Sequence, residues 1–136
     1  MIYLDSAAIV KLAHAEAESG ALRDWLDQRA ELGWVSSALA EVESFRALAR
    51  HAPSAVTRLA SVLDLIDLVD LDAGVRLTAQ AVAPASVRSL DAIHLASALH
   101  LGSRLTTFVT YDPRLADAVT GAGLPLAMPA DSGEPR

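Results

Sequence analysis

The stretch MIYLDS (residues 1–6) places a short apolar run directly before a carboxylate, Asp5. The arrangement recurs at FVTYD (residues 108–112), where a β-branched and aromatic run ends at Asp112. Runs of this kind are typical of short buried strands. An unpaired carboxylate is costly to bury unless a cation or a partner accompanies it. Acids at the ends of core-forming segments therefore indicate a metal site rather than a solvated surface.

Two further acids lie within helical segments that are largely apolar. Glu43 interrupts the helical stretch 38–49, and Asp91 stands near the start of LDAIHLA (residues 90–96). The helix that contains Asp91 is apolar on nearly all sides, which predicts an interior position. Four acids thus recur beside segments expected to form the core.

Each acid taken alone also has an ordinary structural explanation. Asp5, Asp91 and Asp112 each stand where an acid could cap or begin a helix. Glu43 could form a surface salt bridge with Arg46, one helical turn later. Both readings stay open from the residues alone.

Short strands alternate with helices along the chain. The predicted strands span 1–4, 34–36, 64–71, 106–110 and 124–128, and the predicted helices span 7–14, 19–28, 38–50, 54–63, 72–82, 89–101 and 113–121. Alternation predicts an α/β sandwich of three layers, with a short, mostly parallel sheet flanked by helices over residues 1–128 and a flexible tail over 129–136. Because sites in parallel sheets form at the carboxyl ends of the strands, the four acids are expected at one edge.

Composition limits the class of protein. The 136 residues are 52% hydrophobic and 21% charged, which predicts one packed domain. A net charge of −6 argues against an open basic face that grips nucleic acid. The chain has no cysteine, and we expect no membrane span or secretion signal, because no apolar stretch approaches ~18 residues and Asp5 interrupts the first one. We therefore expect a cytoplasmic protein.

The chemistry of clustered carboxylates favours a hard divalent cation. Mg²⁺ and Mn²⁺ prefer oxygen ligands, and Mg²⁺ typically takes one or two carboxylates together with waters and phosphates. Several carboxylates without a cation would repel one another and raise each other's pKa. A bound cation relieves the repulsion, activates a water and shields a phosphodiester. The pattern predicts metal-dependent phosphoryl chemistry.

Four segments taken in order resemble the motifs of PIN-domain toxins of the VapC type. The segments are residues 1–12, 36–48, 89–98 and 110–115. The resemblance implies a PIN-like fold and a Mg²⁺- or Mn²⁺-dependent endoribonuclease that hydrolyses RNA with a metal-activated water. It also implies the toxin of a type II toxin–antitoxin pair, neutralised by a VapB-type antitoxin.

The resemblance carries the family's catalytic and metal-binding positions onto four residues of this chain. They are Asp5, Glu43, Asp91 and Asp112, with Glu43 a better match than Glu41 because it stands three residues before an arginine. We expect Asp5 and Asp91 to be the main metal ligands. Glu43 would act directly or through a water.

Other residues beside these acids are candidates for supporting roles. Basic side chains flank each acid and could hold RNA phosphates or neutralise the acid cluster: Lys11, Arg46, Arg88 and Arg114. Ser6 is expected to cap the first helix and could also contact the metal water. His94, three residues after Asp91, could ligate metal, although a hydrogen-bonded core histidine is the favoured interpretation.

Other functions remain compatible with the sequence. They are a non-catalytic PIN-fold interaction module, a DNA-directed nuclease and a domain that accepts phosphate on an aspartate. We also expect a homodimer, built through the helices around residues 38–63 and 75–82, because so charge-poor a chain has apolar helix surface to spare.

Overall fold

The computed structural model describes residues 1–131 as five strands and seven α-helices. The strands are β1 Ile2–Leu4, β2 Trp34–Ser37, β3 Ile66–Val69, β4 Thr107–Val109 and β5 Leu126–Ala127. The α-helices are α1 Ser6–Ala13, α2 Ser19–Asp27, α3 Ala38–His51, α4 Val56–Leu63, α5 Ala73–Gln80, α6 Ser89–His100 and α7 Pro113–Gly121. Short 3-10 turns occupy Pro53–Ala55 and Gly102–Arg104.

The strands form one sheet in the order β3-β2-β1-β4-β5, and each pairing among them is parallel. The predicted α/β architecture is confirmed. Strand β1 lies at the centre, where Ile2 aligns with Trp34 of β2 on one side and with Thr107 of β4 on the other.

Two apolar layers cover the faces of the sheet because side chains alternate along each strand. Ile2 and Leu4 of β1 pack into a cluster with residues of α1 to α4. Tyr3 faces the opposite side and packs against Phe108 together with residues of α6 and α7. The ring centroids of Tyr3 and Phe108 are 4.5 Å apart in a stacked arrangement. The sheet is therefore the middle of three layers.

The cap of α1 differs from the sequence prediction. We expected Ser6 to cap a helix starting at residue 7, but α1 begins at Ser6 and the cap is Asp5. The backbone of Asp5 is extended, and its side chain accepts a hydrogen bond from the amide of Ala8. The carboxylate of Asp5, one residue earlier, therefore caps the helix instead of the Ser6 hydroxyl.

The third strand is shorter than the predicted 64–71. The amides of Asp64 and Leu65 donate to Ala60 and Val62, so these residues close the end of α4 instead of joining the sheet. Within the predicted tail, the carbonyl of Pro129 accepts a hydrogen bond from the Tyr111 hydroxyl at 2.6 Å. Residues 132–136 of the predicted tail lie outside the described residues.

Helix α6 ends at His100, one residue before the predicted end at 101, and Gly102 follows shortly after it. This glycine has a positive φ of 55°, a conformation that side-chain-bearing residues rarely adopt. None of the helices within residues 1–131 combines the length and apolar character needed to cross a membrane.

Candidate active site

The site lies where the strand order of the sheet reverses. The chain proceeds outward from β1 through β2 to β3, then returns to the other side of β1 to form β4 and β5. In open parallel sheets the crevice at such a switch point, beyond the carboxyl ends of the strands, is where ligands bind. Asp5 follows β1 and its amide donates to the carbonyl of Val109, at the end of β4, at 3.3 Å.

Asp5 is buried, with 3% of its surface exposed, and both of its carboxylate oxygens have donors. Oδ1 accepts from the Ala8 amide at 2.9 Å, and Oδ2 accepts from the Thr110 hydroxyl at 2.6 Å. Burial raises the pKa of Asp5 in spite of these bonds, and the charge of Glu43 raises it further. Two neutral donors orient this carboxylate without neutralising its charge.

Thr110 connects Asp5 to Asp112. Its hydroxyl donates to Asp5 and accepts from the Asp112 amide at 3.1 Å. The Asp112 side chain caps α7 by accepting from the amide of Arg114 at 3.0 Å. The structural roles predicted for the two aspartates as helix caps are thus present, and they fix both carboxyl groups at the same edge of the sheet.

Glu43 reaches the site from α3 and is held by His94. Its Oε1 lies 2.6 Å from Nε2 of His94, and Nδ1 of His94 lies 2.7 Å from the hydroxyl of Tyr3. Burial raises the pKa of Tyr3 well above its usual range, so the phenol keeps its proton. In the described chain Glu43 pairs with this histidine rather than with Arg46.

Asp91 lies in the first turn of α6 and is partly buried. Burial raises its pKa first, and the negative charges of Asp112 and Glu43 raise it further. His94 and Arg88 act in the opposite direction. The charges of Asp112 and Glu43 raise the pKa of Asp91, and the charge of Glu43 raises that of Asp5. The fold therefore brings the four predicted acids close enough to interact electrostatically.

The donor set fits a divalent cation of the Mg²⁺ type. Within residues 1–131 no group of three or more histidine or acidic side chains is arranged so that it could hold a metal ion. Mg²⁺ does not require one, because it retains several waters and commonly takes only one or two carboxylates with substrate phosphates. All four candidate donors are carboxylates. A cation would relieve the repulsion by which Asp112 and Glu43 help to raise the pKa of Asp91.

Two clefts open beside the acids. One of about 380 Å³ lies between α1 and α3 and includes Ser6, Lys11 and Glu43 in its lining. The other, of about 580 Å³, lies between the start of α6 and α7. Its lining includes Arg88, Asp91, Arg114 and Asp117. Asp91 is therefore reached from a cleft that also contains two arginines.

The four basic candidates lie in different surroundings. The ammonium of Lys11 is 2.9 Å from Glu18 and 3.6 Å from Glu16, and it lies 4.9 Å from the centre of the Tyr111 ring. Arg46 lines a shallow apolar cleft on α3 instead of the acid group. Arg88 and Arg114 thus share a cleft with Asp91, whereas Lys11 shares the other cleft with Glu43.

Sequence reasoning missed the residues that hold the acids in place. Thr110 was read only as part of a strand, and Tyr3 only as part of the core. His94 is a hydrogen-bonded core histidine, as the favoured interpretation predicts, but the sequence does not indicate that its partner is Glu43 from another helix. A hydroxyl residue two positions before Asp112 was the one available signal.

Comparisons with known proteins identify the family of the chain. A family model described as the PIN domain matches residues 2–120. The chain is 47% identical to the Mycobacterium tuberculosis protein Ribonuclease VapC35 over 134 residues, which cover 97% of this chain and 99% of that relative. It is 45% identical to Ribonuclease VapC46 of the same organism over 129 residues, or 95% and 98% of the two chains.

The fold is also similar to a solved structure. The crystal structure of Mycobacterium tuberculosis VapC20, a sarcin-ricin loop cleaving toxin, superposes with a TM-score of 0.73. The match covers 91% of this chain and 96% of that one, at 16% sequence identity. At this identity the likeness concerns the fold alone.

Proposed function

Because the chain belongs to the PIN domain family, and within it to the VapC ribonucleases, we propose that it is an endoribonuclease, the toxin of a type II toxin–antitoxin pair. The proposed activity is hydrolysis of RNA phosphodiester bonds with Mg²⁺ or Mn²⁺. The observation that carries the proposal is the group of four carboxylates near the switch point of the sheet. Two of them, Asp112 and Glu43, help to raise the pKa of a third, Asp91.

Asp5, Asp91, Asp112 and Glu43 are the residues that would hold the cation. When bound, a divalent ion supplies counter-charge, polarises a phosphate oxygen and lowers the pKa of a coordinated water. The protein contributes orientation. Asp5 is fixed by two hydrogen bonds, and Asp112 is fixed at the start of α7, so neither carboxylate needs to reorganise as charge develops.

Arg88 and Arg114 are the proposed contacts for RNA phosphates. A guanidinium presents donors that match two phosphate oxygens at once. Both arginines line the cleft of Asp91, so a strand lying in that cleft would pass its phosphates beside the acid group. Lys11 and Arg46 remain weaker candidates because Lys11 is engaged by Glu16 and Glu18, and Arg46 lies beside apolar residues.

We further propose a VapB-type antitoxin as partner and a homodimer as the assembly, both in the cytoplasm. The support for a protein interface is an apolar patch on α3, where Val42 and Phe45 are 54% and 51% exposed and line one cleft together with Leu63 of α4. Exposed apolar residues in one place are typical of protein interfaces. Leu77 of α5, within the second segment predicted to contribute, is 65% exposed.

The test of the function is a cleavage assay on end-labelled RNA with matched DNA of the same sequence. Purified protein is incubated with each substrate in Mg²⁺, in Mn²⁺ and in EDTA. Metal-dependent cleavage of RNA, with 5′-phosphate ends mapped by sequencing, supports the proposal. Cleavage of DNA alone would favour a DNA-directed nuclease. Absence of cleavage of structured and unstructured RNA would favour a non-catalytic interaction module.

A further inference from the structure

Three side chains from three different elements form a hydrogen-bonded chain that ends in the acid group. Tyr3 comes from the central strand β1, His94 from α6 and Glu43 from α3. The distances are 2.7 Å between the Tyr3 hydroxyl and Nδ1 of His94, and 2.6 Å between Nε2 of His94 and Oε1 of Glu43. These hydrogen bonds thus connect the central strand of the sheet to the edge where the other acids lie.

The first two members are shielded from water. Tyr3 has no exposed surface and His94 is 2% exposed, whereas the Glu43 side chain is 23% exposed. Water therefore does not compete for either nitrogen of the imidazole, and both hydrogen bonds form in a low-dielectric interior. The exposed end carries the carboxylate that faces the site.

The donors and acceptors fix the tautomer of His94. The Glu43 carboxylate can only accept, so Nε2 of His94 carries the proton that is donated to it. In the tautomer with one ring proton Nδ1 is then an acceptor, and the Tyr3 hydroxyl donates to it. Both nitrogens are used, so His94 is not available as a metal ligand.

We propose that His94 is a positioning residue for the active site: oriented by Tyr3, it fixes the carboxylate of Glu43 beside Asp5 and Asp91, an inference that rests on the proposed ribonuclease activity. A glutamate side chain has three rotatable bonds, and ordering it has an entropic cost. His94 holds it in one place before substrate arrives. The bond uses one carboxylate oxygen and leaves Oε2 for a cation, a water or substrate.

A set of variants separates positioning from space filling. His94→Gln keeps a donor near the position of Nε2, whereas His94→Leu has similar bulk and no donor. Tyr3→Phe keeps the stacking on Phe108 and removes only the hydroxyl. His100→Leu, an exposed histidine on the same helix, is the control.

Positioning predicts that His94→Leu lowers kcat about 10- to 100-fold with KM unchanged, the usual range for residues that orient ligands of a metal site. His94→Gln should recover most of that loss, even if its melting temperature is the lower of the two. In a Glu43→Ala background, measured in single turnover, His94→Leu should cause no further loss. Equal activity of the Gln and Leu variants, or the full loss repeated in the Glu43→Ala background, would overturn the proposal.

A second readout does not depend on activity. A long-range ¹H–¹⁵N spectrum of the metal-free protein should show a proton on Nε2 of His94. Tyr3→Phe should shift the Nδ1 resonance, and Glu43→Ala should shift the Nε2 resonance. A wild-type His94 without a proton on Nε2 would refute the assignment whether or not the protein cleaves RNA. Failure of the wild type to cleave RNA, with the Nε2 tautomer present, would refute the proposed function instead.

Discussion

Replacing Asp5 with Asn removes one charge from the acid group and changes little else. Asn is as good a helix cap as Asp, so the bond from the Ala8 amide is retained. The hydroxyl of Thr110 can rotate to accept from the new amide. The buried site therefore loses a negative charge at nearly constant shape.

The effect on stability depends on pH with a definite sign. Burial raises the pKa of Asp5 above its ordinary value of 3.8, so the folded protein binds this proton more tightly than the unfolded chain does. The contribution of Asp5 to the free energy of unfolding is then greatest below about pH 3.8 and is lost as the pH rises through the pKa of Asp5 in the folded protein. In metal-free buffer at pH 7.5, Asp5→Asn should melt at a higher temperature than wild type, and the difference should vanish in acid.

Added cation should reverse the order. A ligand present at ten times its Kd stabilises the folded state by about 1.4 kcal/mol, which corresponds to about 5 °C in Tm for a chain of 136 residues. Wild type should gain this amount from Mg²⁺, and Asp5→Asn should gain much less.

The assay is a thermal melt of both proteins in EDTA and in Mg²⁺, at constant ionic strength, from pH 4 to 8. Asp5→Ala serves as the comparison, because it loses the cap, worth about 1 kcal/mol, as well as the charge. The reasoning fails if Asp5→Asn is the less stable protein at pH 7.5 in EDTA, or if Mg²⁺ raises its Tm as much as that of wild type.

Four other outcomes are expected. Glu43→Gln should lower the cleavage rate while Glu41→Gln should not, and the reverse result would mean that Glu41 is the functional glutamate. Thr110→Val should lower the free energy of unfolding by about 1–3 kcal/mol, because it leaves Oδ2 of the buried Asp5 carboxylate without a donor; chemical denaturation measures this. In the metal-free protein Asp91 should take up its proton at a pH above 3.8, because burial raises its pKa; an NMR titration with an ordinary aspartate midpoint would contradict this. Light scattering should give a dimer mass that Phe45→Glu shifts to monomer, and a wild-type monomer at high micromolar concentration would exclude the dimer.

The strands and helices could be predicted from sequence because local patterns specify them. Pro113 and Gly121 bound α7 as expected, since a proline begins helices readily and this glycine closes the segment. The side chains of Ser37 and Asp72 cap α3 and α5 by accepting from amides within three residues, so these contacts depend only on local sequence. Strand β3 is shorter than the predicted 64–71, because the amides of Asp64 and Leu65 bond to carbonyls of α4 instead of joining the sheet.

The partners of the acids could not be predicted, because they come from distant parts of the chain. Thr110 and Asp5 are 105 residues apart, and His94 and Glu43 are 51 apart. The strand order that brings them together is a tertiary property which no local window contains. The motif positions identified the acids, and the parallel sheet with its switch point explains why they share one edge.

The most direct test of the account is metal-dependent RNA cleavage by wild type, Asp5→Asn and Asp91→Asn, run side by side on one end-labelled RNA. Each variant is first checked for a wild-type circular dichroism spectrum and a cooperative melt. We predict that wild type cleaves in Mg²⁺ and not in EDTA, and that both variants are folded and inactive. Cleavage by both variants at the wild-type rate in Mg²⁺ would contradict the assignment of these carboxylates as the catalytic site.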